Sequence, residues 1–527
     1  MNKKWVLTLL GGFIYVAICF LPVVKSGLYA DDLPNFQHRA ARVQTDLQET
    51  LQRTNIVIEH WKTNGRYTPI SFIWMELSFY LFTTISSYKI FVFFMNILAV
   101  IVFVVYLRVL KMNINYSIWL ICLGSVIQYR VGFHDAYTSY NGMYQLLTVF
   151  VFATLIFQGL YFTKQNIWFL LVAAFCFIIS LFISEVGLLA LLLIPFTAVF
   201  LKIPFKKWAI SVIPIILITL GYLGYIAWLR THMIEKDAYP GLKTSFDLTA
   251  MTELLAKQMY ASLPLTNLQN KSAIPIVLFH QLSNIWNLIA VFAIFIIGYF
   301  ISKNYKLKNA AMKYNINFST LIFALALMGF PALFILPSAK YQNEVSWGTA
   351  YLPVYIQSFG TAMLLALLFE YFFKSLQKAK PWYLYGLIVF ITCSSAIAFL
   401  LNNALINVRS YKNSFPAQVL FEAVKDGALN NCKSGSTLIL GNDFYWKSPL
   451  GYQMLFKELT GREYRVYDAG TQFIPVDTSD CYFLDCQPGK KVLVTLYEMD
   501  CFNHEKKVLI EKRETDCKID VIKEDGI

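Results

Sequence analysis

Two adjacent carboxylates, Asp31 and Asp32, sit in the run Tyr29-Ala30-Asp31-Asp32-Leu33-Pro34, shortly after the first long apolar stretch of the chain. Charges at the edge of an apolar segment are costly to desolvate, so they tend to have a task or a partner. The pair suits a general base that takes a proton from an acceptor hydroxyl, or a ligand for a divalent ion such as Mg or Mn. Acids that merely decorate an interfacial loop are the plainer alternative. The same loop carries Arg39, Arg42, Arg53 and Lys62 and ends in Gly65-Arg66-Tyr67-Thr68-Pro69. A guanidinium fixed opposite a lipid phosphate stabilises the charge that develops as the phosphate leaves. Arg66 stands where it can do this, or where it can snorkel to lipid headgroups.

Three further groups have suitable chemistry. Arg130, His134, Asp135, Tyr140 and Asn141 cluster in one stretch; Arg130 adds positive charge for a phosphate, and Asp135 and Asn141 offer acceptors and donors to a polar substrate, or simple loop polarity. Ser184-Glu185-Val186-Gly187 interrupts a long apolar run, so Glu185 marks either a substrate contact or a tight turn between two helices. In the run from Pro337 to Trp347, Lys340 supplies a point charge for phosphate, and Tyr341 and Trp347 offer aromatic faces to a sugar ring or to an interfacial aromatic belt. His60, His134, His232 and His280 have no zinc spacing.

The elements that must position these residues are membrane helices. Of 527 residues 57% are hydrophobic, 17% aromatic and 15% charged, well below the roughly 25% charged of soluble proteins. The apolar residues form about twelve segments, many near the ~20 residues that cross ~30 Å of hydrocarbon. These are approximately 5–24, 69–84, 89–107, 118–131, 146–162, 167–184, 186–201, 208–229, 285–301, 318–336, 350–373 and 382–401. The segment 69–84 is short and contains Glu76; placing it at the interface or only part way in leaves about eleven spans and removes a conflict in the charge bias. The first run is read as a retained span rather than a cleaved signal, since no small-residue cleavage site follows it.

The net charge of +13 is spread over short Lys-rich loops, the pattern of helices oriented by cytoplasmic cations, and it argues against a nucleic-acid partner. This bias predicts a cytoplasmic N-terminus and an extracytoplasmic C-terminus in a multi-pass protein of the inner or plasma membrane. Loops 25–68 and 231–282 then lie outside, the first with a surface helix over Asn35–Glu59 and the second with a helix over Asp247–Ala261. The expected fold is a mostly α, polytopic helix bundle over residues 1–402, followed by a small soluble α/β domain over 403–527. In that domain Ser436–Leu440 and Val492–Leu496 read as strands, and Leu450–Leu459 as a helix ending before Gly461. Five of the nine cysteines, Cys432, Cys481, Cys486, Cys501 and Cys517, fall there, enough for about two disulfides in an oxidising compartment.

The order of a first span, an outer loop opening with Asp31 and Asp32, surface helices, the Gly65–Pro69 stretch and a soluble tail resembles the GT-C class of membrane glycosyltransferases. The nearest likeness is to bacterial members that modify surface polysaccharides or lipids. The resemblance implies a polyprenyl-phosphate-linked sugar as donor, a glycan, lipid or protein as acceptor, and an outer-loop acid in catalysis. It places Asp135 where members carry a second acidic residue, and Glu185 in a step like the Lys/Ser-Glu-x-Gly seen after a span in some of them. Two rivals stay open: a polysaccharide polymerase or ligase using pyrophosphate-linked donors, and a flippase or transporter of lipid-linked sugars, although no internal repeat of the transporter kind is visible. A receptor or scaffold would not need the clustered acids.

Overall fold

The computed structural model describes residues 3–28, 32, 47–82, 84–112, 114–129, 135–232, 243–266, 268, 281–309, 318–377, 382–409, 420, 423–441, 449–468, 481–487, 491–499 and 506–516. The described chain is mostly helical and divides into two compact units, one of residues 1–24, 51–77 and 89–403, the other of 25–50, 78–88 and 404–527.

The helices are α1 (Lys3–Phe20), α2 (Leu47–Thr63), α3 (Pro69–Leu81), α4 (Ile85–Val109), α5 (Tyr116–Val126), α6 (Met143–Lys164), α7 (Ile167–Ile183), α8 (Leu189–Phe200), α9 (Phe205–Thr231), α10 (Leu248–Ala261), α11 (Ile285–Asn309), α12 (Phe318–Leu333), α13 (Ala339–Glu344), α14 (Val354–Gln377) and α15 (Trp382–Arg409). Among the described residues six are long and apolar enough to cross a membrane, on α1, α4, α6, α9, α14 and α15, as a multi-pass membrane protein requires. Among the described residues five further helices carry shorter apolar stretches, over 116–126, 167–183, 185–200, 285–301 and 318–333. The reason is local: Ser184 and Glu185 break the run after residue 167 into helices of 17 and 12 residues, which reach only about 25 and 18 Å at 1.5 Å per residue. Helix α3, with 13 residues, likewise falls short of the ~30 Å core.

Polar caps set several helix starts. Asn115 accepts from the amides of Ser117 and Ile118 at 3.0 and 3.2 Å, and Asp247 from those of Thr249 and Ala250 at 2.9 and 3.2 Å, satisfying donors that would otherwise be orphaned. Small residues let α1 and α5 meet closely: a Cβ on Gly12 would come within 2.7 Å of Leu120, and one on Gly124 within 2.6 Å of Tyr15. The rings of Phe103, Trp119, Phe152 and Phe359 join α4, α5, α6 and α14, and Gln158 donates to the Ser211 hydroxyl at 2.9 Å between α6 and α9.

The second unit contains a mixed sheet. Strand β1 (Thr437–Leu440) is followed by α16 (Pro449–Thr460), β2 (Arg465–Asp468), β3 (Cys481–Gln487), β4 (Lys491–Met499) and β5 (Lys506–Asp516). The order is β2-β1-β3-β4-β5, with β1 parallel to both β2 and β3 and the last three strands antiparallel. All four residues of β1 are buried, as expected for a strand flanked by parallel neighbours. Leu438, Leu440, Tyr452, Phe456, Val466 and Leu484 belong to one core. Gly461 (φ 70°) ends α16 in the left-handed conformation, its amide donating to Lys457 O at 2.8 Å. Cys432 is a free, buried thiol; of the side chains of Cys481, Cys486, Cys501 and Cys517 nothing is described.

Candidate functional site

In the second unit Asp32 is 1% exposed and accepts a hydrogen bond from the Tyr88 phenol at 2.6 Å; the Tyr88 ring lies 5.1 Å from that of Phe79. A carboxylate withdrawn from water this far needs such a donor. Asp31 lies outside the described residues, as does Arg130.

The remaining sequence-derived residues belong to the first unit. The chain turns at Gly65 (φ 75°), closing α2 with amide bonds from Gly65 to Lys62 O and from Arg66 to Trp61 O at 3.0 and 2.9 Å. This leaves Arg66 half-buried with its guanidinium carbon 5.7 Å from the Trp61 ring centre, a cation–π placement that holds the charge in position. Tyr67 then meets Phe182 and Tyr225 edge-on at 5.8 and 5.2 Å, and Ser71 Oγ donates to Ile183 O at 3.1 Å. The Arg66 stretch thereby lies against the corner after α7. There Ser184 Oγ caps a 3-10 turn, accepting from Val186 N at 3.3 Å, and Glu185 begins the turn. Gly187 is required, because a Cβ there would lie 2.6 Å from the Ser180 carbonyl carbon and oxygen. The Tyr222 hydroxyl on α9 is within Coulombic reach of Glu185, Arg66 and Arg230. The structure therefore joins Arg66 and Glu185, far apart in sequence, and adds Tyr222 and Arg230, which sequence reasoning passed over as interior and end of an apolar helix.

Asp135 is 1% exposed and belongs to a turn: Thr138 Oγ1 donates to its carboxylate, and Ser139 Oγ donates to its carbonyl at 2.5 Å. Tyr140, Asn141 and Gly142 follow with φ of 63°, 54° and 65°, a left-handed run that L side chains adopt at a cost. A buried polar scaffold holds it. Asn141 O accepts from Trp74 Nε1 at 2.9 Å, and the Asn141 amide donates to Met75 O at 3.3 Å. Gln145 donates to Ala136 O at 2.7 Å, Asn96 to Tyr137 O at 3.2 Å, and the fully buried ammonium of Lys89 to Thr138 O. Lys89, Asn96 and Gln145 were missed from sequence; the available signal was polar residues inside apolar helices, which are expensive there without a partner.

On α13, Lys340 Nζ lies 5.9 Å from the Tyr341 ring centre and 3.9 Å from Glu344. Tyr341 donates to the Tyr351 hydroxyl at 2.8 Å, with ring centres 4.1 Å apart. The segment before α10 is fastened to the same region by amide bonds from Ser245 to Pro337 O and from Ala339 to Lys243 O at 2.7 and 2.9 Å. Among the described residues no group of three or more His, Cys, Asp or Glu is placed to hold a metal ion. The sequence matches no protein-family model, and no curated protein is detectably similar to it.

Proposed function

We propose that the chain is a multi-pass membrane glycosyltransferase that moves a sugar from a polyprenyl-phosphate carrier to a glycan, lipid or protein acceptor on the extracytoplasmic face. The observation that carries the reading is the buried Asp32 carboxylate held by Tyr88 a few residues after the first apolar helix. A carboxylate kept in place by a neutral donor is suited to accept a proton from a bound hydroxyl. The half-buried Arg66 beside Trp61 supports it, since a guanidinium held over a ring is a fixed positive charge of the kind that stabilises an anionic leaving group.

In this reaction the acceptor oxygen bonds to the anomeric carbon while the bond from that carbon to the phosphate oxygen breaks. The acceptor proton passes to Asp31 or Asp32, and the carrier leaves as its phosphate. A single displacement inverts the anomeric centre. Glu185, Asp135, Asn141 and Tyr341 are assigned to sugar and acceptor, Lys340 and Arg130 to further phosphate contact, and an Mg or Mn ion is compatible with the acids. The reading also takes the remaining apolar helices as further membrane passages and residues 403–527 as an extracytoplasmic α/β domain.

The test supplies membranes containing the full-length chain with a set of polyprenyl-phosphate sugars and follows labelled sugar into acceptor. The Asp31→Asn, Asp32→Asn double variant, folded as judged by a monodisperse elution profile, should lose at least about 100-fold in rate, the usual reach of acid–base catalysis. Transfer at the parental rate would remove the mechanism.

A further inference from the structure

We infer that α10 is a strap built to open, because the centre of its buried face is a carboxamide without a partner, Gln258. What passes beneath the strap rests on the transferase reading; the opening does not.

Leu254, Gln258 and Ala261 are the fully buried residues of α10, at the spacing of one helix face. On the opposite face Leu248, Thr252, Glu253 and Ala256 are exposed. Leu254 belongs to a core with Ile335, Leu336 and Val345, against which Tyr341 and Tyr351 also pack. One turn after Gln258, the hydroxyls of Ser262 and Thr361 on α14 lie 2.7 Å apart. Gln258 sits between these two anchors, 0% exposed, and neither its amide nitrogen nor its oxygen has a hydrogen-bond partner. One turn before Thr361, the buried Gln357 donates to Met328 O at 2.6 Å, and its own oxygen is also unmatched.

Buried polar groups are nearly always hydrogen-bonded, and an unmatched one loses its hydration with nothing to replace it. The closed position of α10 is therefore favoured by its apolar contacts and opposed at its centre, where opening returns water to the Gln258 amide. Elements that move are drawn from this low-stability end of a fold. The two ends of the strap are fastened differently. Before α10, backbone bonds join Ser245 to Pro337 O and Ala339 to Lys243 O at 2.7 and 2.9 Å. After it, the fastenings are side chains: Ser262 with Thr361, and Gln128 donating to the Leu263 carbonyl. The first end is the hinge and the second the release, and opening bares the Tyr341–Tyr351 pair that packs against the Leu254 core.

The test is hydrogen exchange on detergent-purified full-length protein, corrected for intrinsic rates. In the parent, amides 250–261 should exchange at least about 10-fold faster than those in the middles of α12 and α14. Gln258→Leu and Gln258→Met, apolar side chains of similar volume, should slow exchange over α10 by about 10-fold, the scale of one unmatched buried group, without lowering the thermal unfolding midpoint. Thr361→Val removes a bond at the release end and should speed exchange by a similar factor. Where the branched leucine does not fold, the methionine variant decides. Faster exchange or a lower midpoint in the folded Gln258 variants would show the carboxamide bonded in the closed state, to Gln357 or to water, and overturns the strap. Unchanged exchange in those variants, or parental α10 exchange as slow as that of α12 and α14, overturns it too. Slower exchange with a matching fall in sugar transfer sets the strap over the route of the transferase. Slower exchange with transfer unchanged, or in a chain that transfers no sugar, upholds the strap and detaches it from that reading.

Discussion

Tyr88 and Asp32, 56 positions apart, are joined by a 2.6 Å hydrogen bond between two buried side chains. Removing the phenol oxygen leaves a buried carboxylate short of a donor, which costs about 1–3 kcal/mol. Tyr88→Phe should therefore lower the thermal unfolding midpoint of the purified protein. Asp32→Asn keeps an oxygen that accepts from Tyr88, so it should unfold near the parental temperature while sugar transfer is lost. A variant pair in which both substitutions destabilise equally and transfer persists would make Asp32 purely structural.

The buried Lys89 ammonium donating to Thr138 O is part of what holds the left-handed run at 140–142. Lys89→Met leaves that carbonyl without the bond and should cost about 1–3 kcal/mol by the same argument. Hydrogen exchange should read faster opening over residues 135–145 than in the parent. Unchanged protection there would show that Asn96, Gln145 and Trp74 suffice.

Gly187→Ala puts a methyl 2.6 Å from the Ser180 carbonyl. Backbone cannot swing aside as a side-chain tip can, so about 1–3 kcal/mol of overpacking is expected, with displacement of the Glu185 turn. Gly221→Ala on α9 is the control: among the described residues nothing outside its own helix backbone and chain neighbours lies within 4 Å of its Cβ, and an alanine inside a helix should be neutral or stabilising by up to about 1 kcal/mol. Equal unfolding midpoints for the two variants would contradict the crowding.

Burial pushes the Cys432 thiol up to about 12, with Arg462 pulling partly the other way. Its folded value lies above the unfolded one near 9, so its contribution to stability is complete below pH 9 and falls as pH rises from 9 to 12. At pH 8 iodoacetamide should modify Cys432 slowly in the native protein and rapidly in guanidinium chloride. Arg462 also donates to the carbonyls of Asn430 and Cys432, both at 2.7 Å, so Arg462→Ala should speed native labelling by loosening the turn that buries Cys432, an effect opposed by the loss of a charge that favours the thiolate.

Composition and apolar run length alone were enough to read a multi-pass helical protein, because hydrocarbon admits backbone only when its own hydrogen bonds are satisfied. Local pattern likewise announced a helix over Asp247–Ala261, where α10 forms, the end of α16 before Gly461, and the strands around Thr437–Leu440 and Lys491–Met499. Run length did not reveal which apolar stretches end early: the break at Ser184 and Glu185 depends on a turn seated against the end of α7, where only Gly187 fits. Nor did any pattern along the chain join Arg66 to Glu185 and Tyr222, or Asp32 to Tyr88. Those pairs are separated by dozens of residues, and side chains so distant in sequence meet only where tertiary contacts bring them, as Tyr67 on Phe182 and Tyr225 does for the Arg66 stretch. The sequence by itself determined the solvent this chain requires; the tertiary structure decided which of its polar groups leave water together, because each must find a partner there once it is buried.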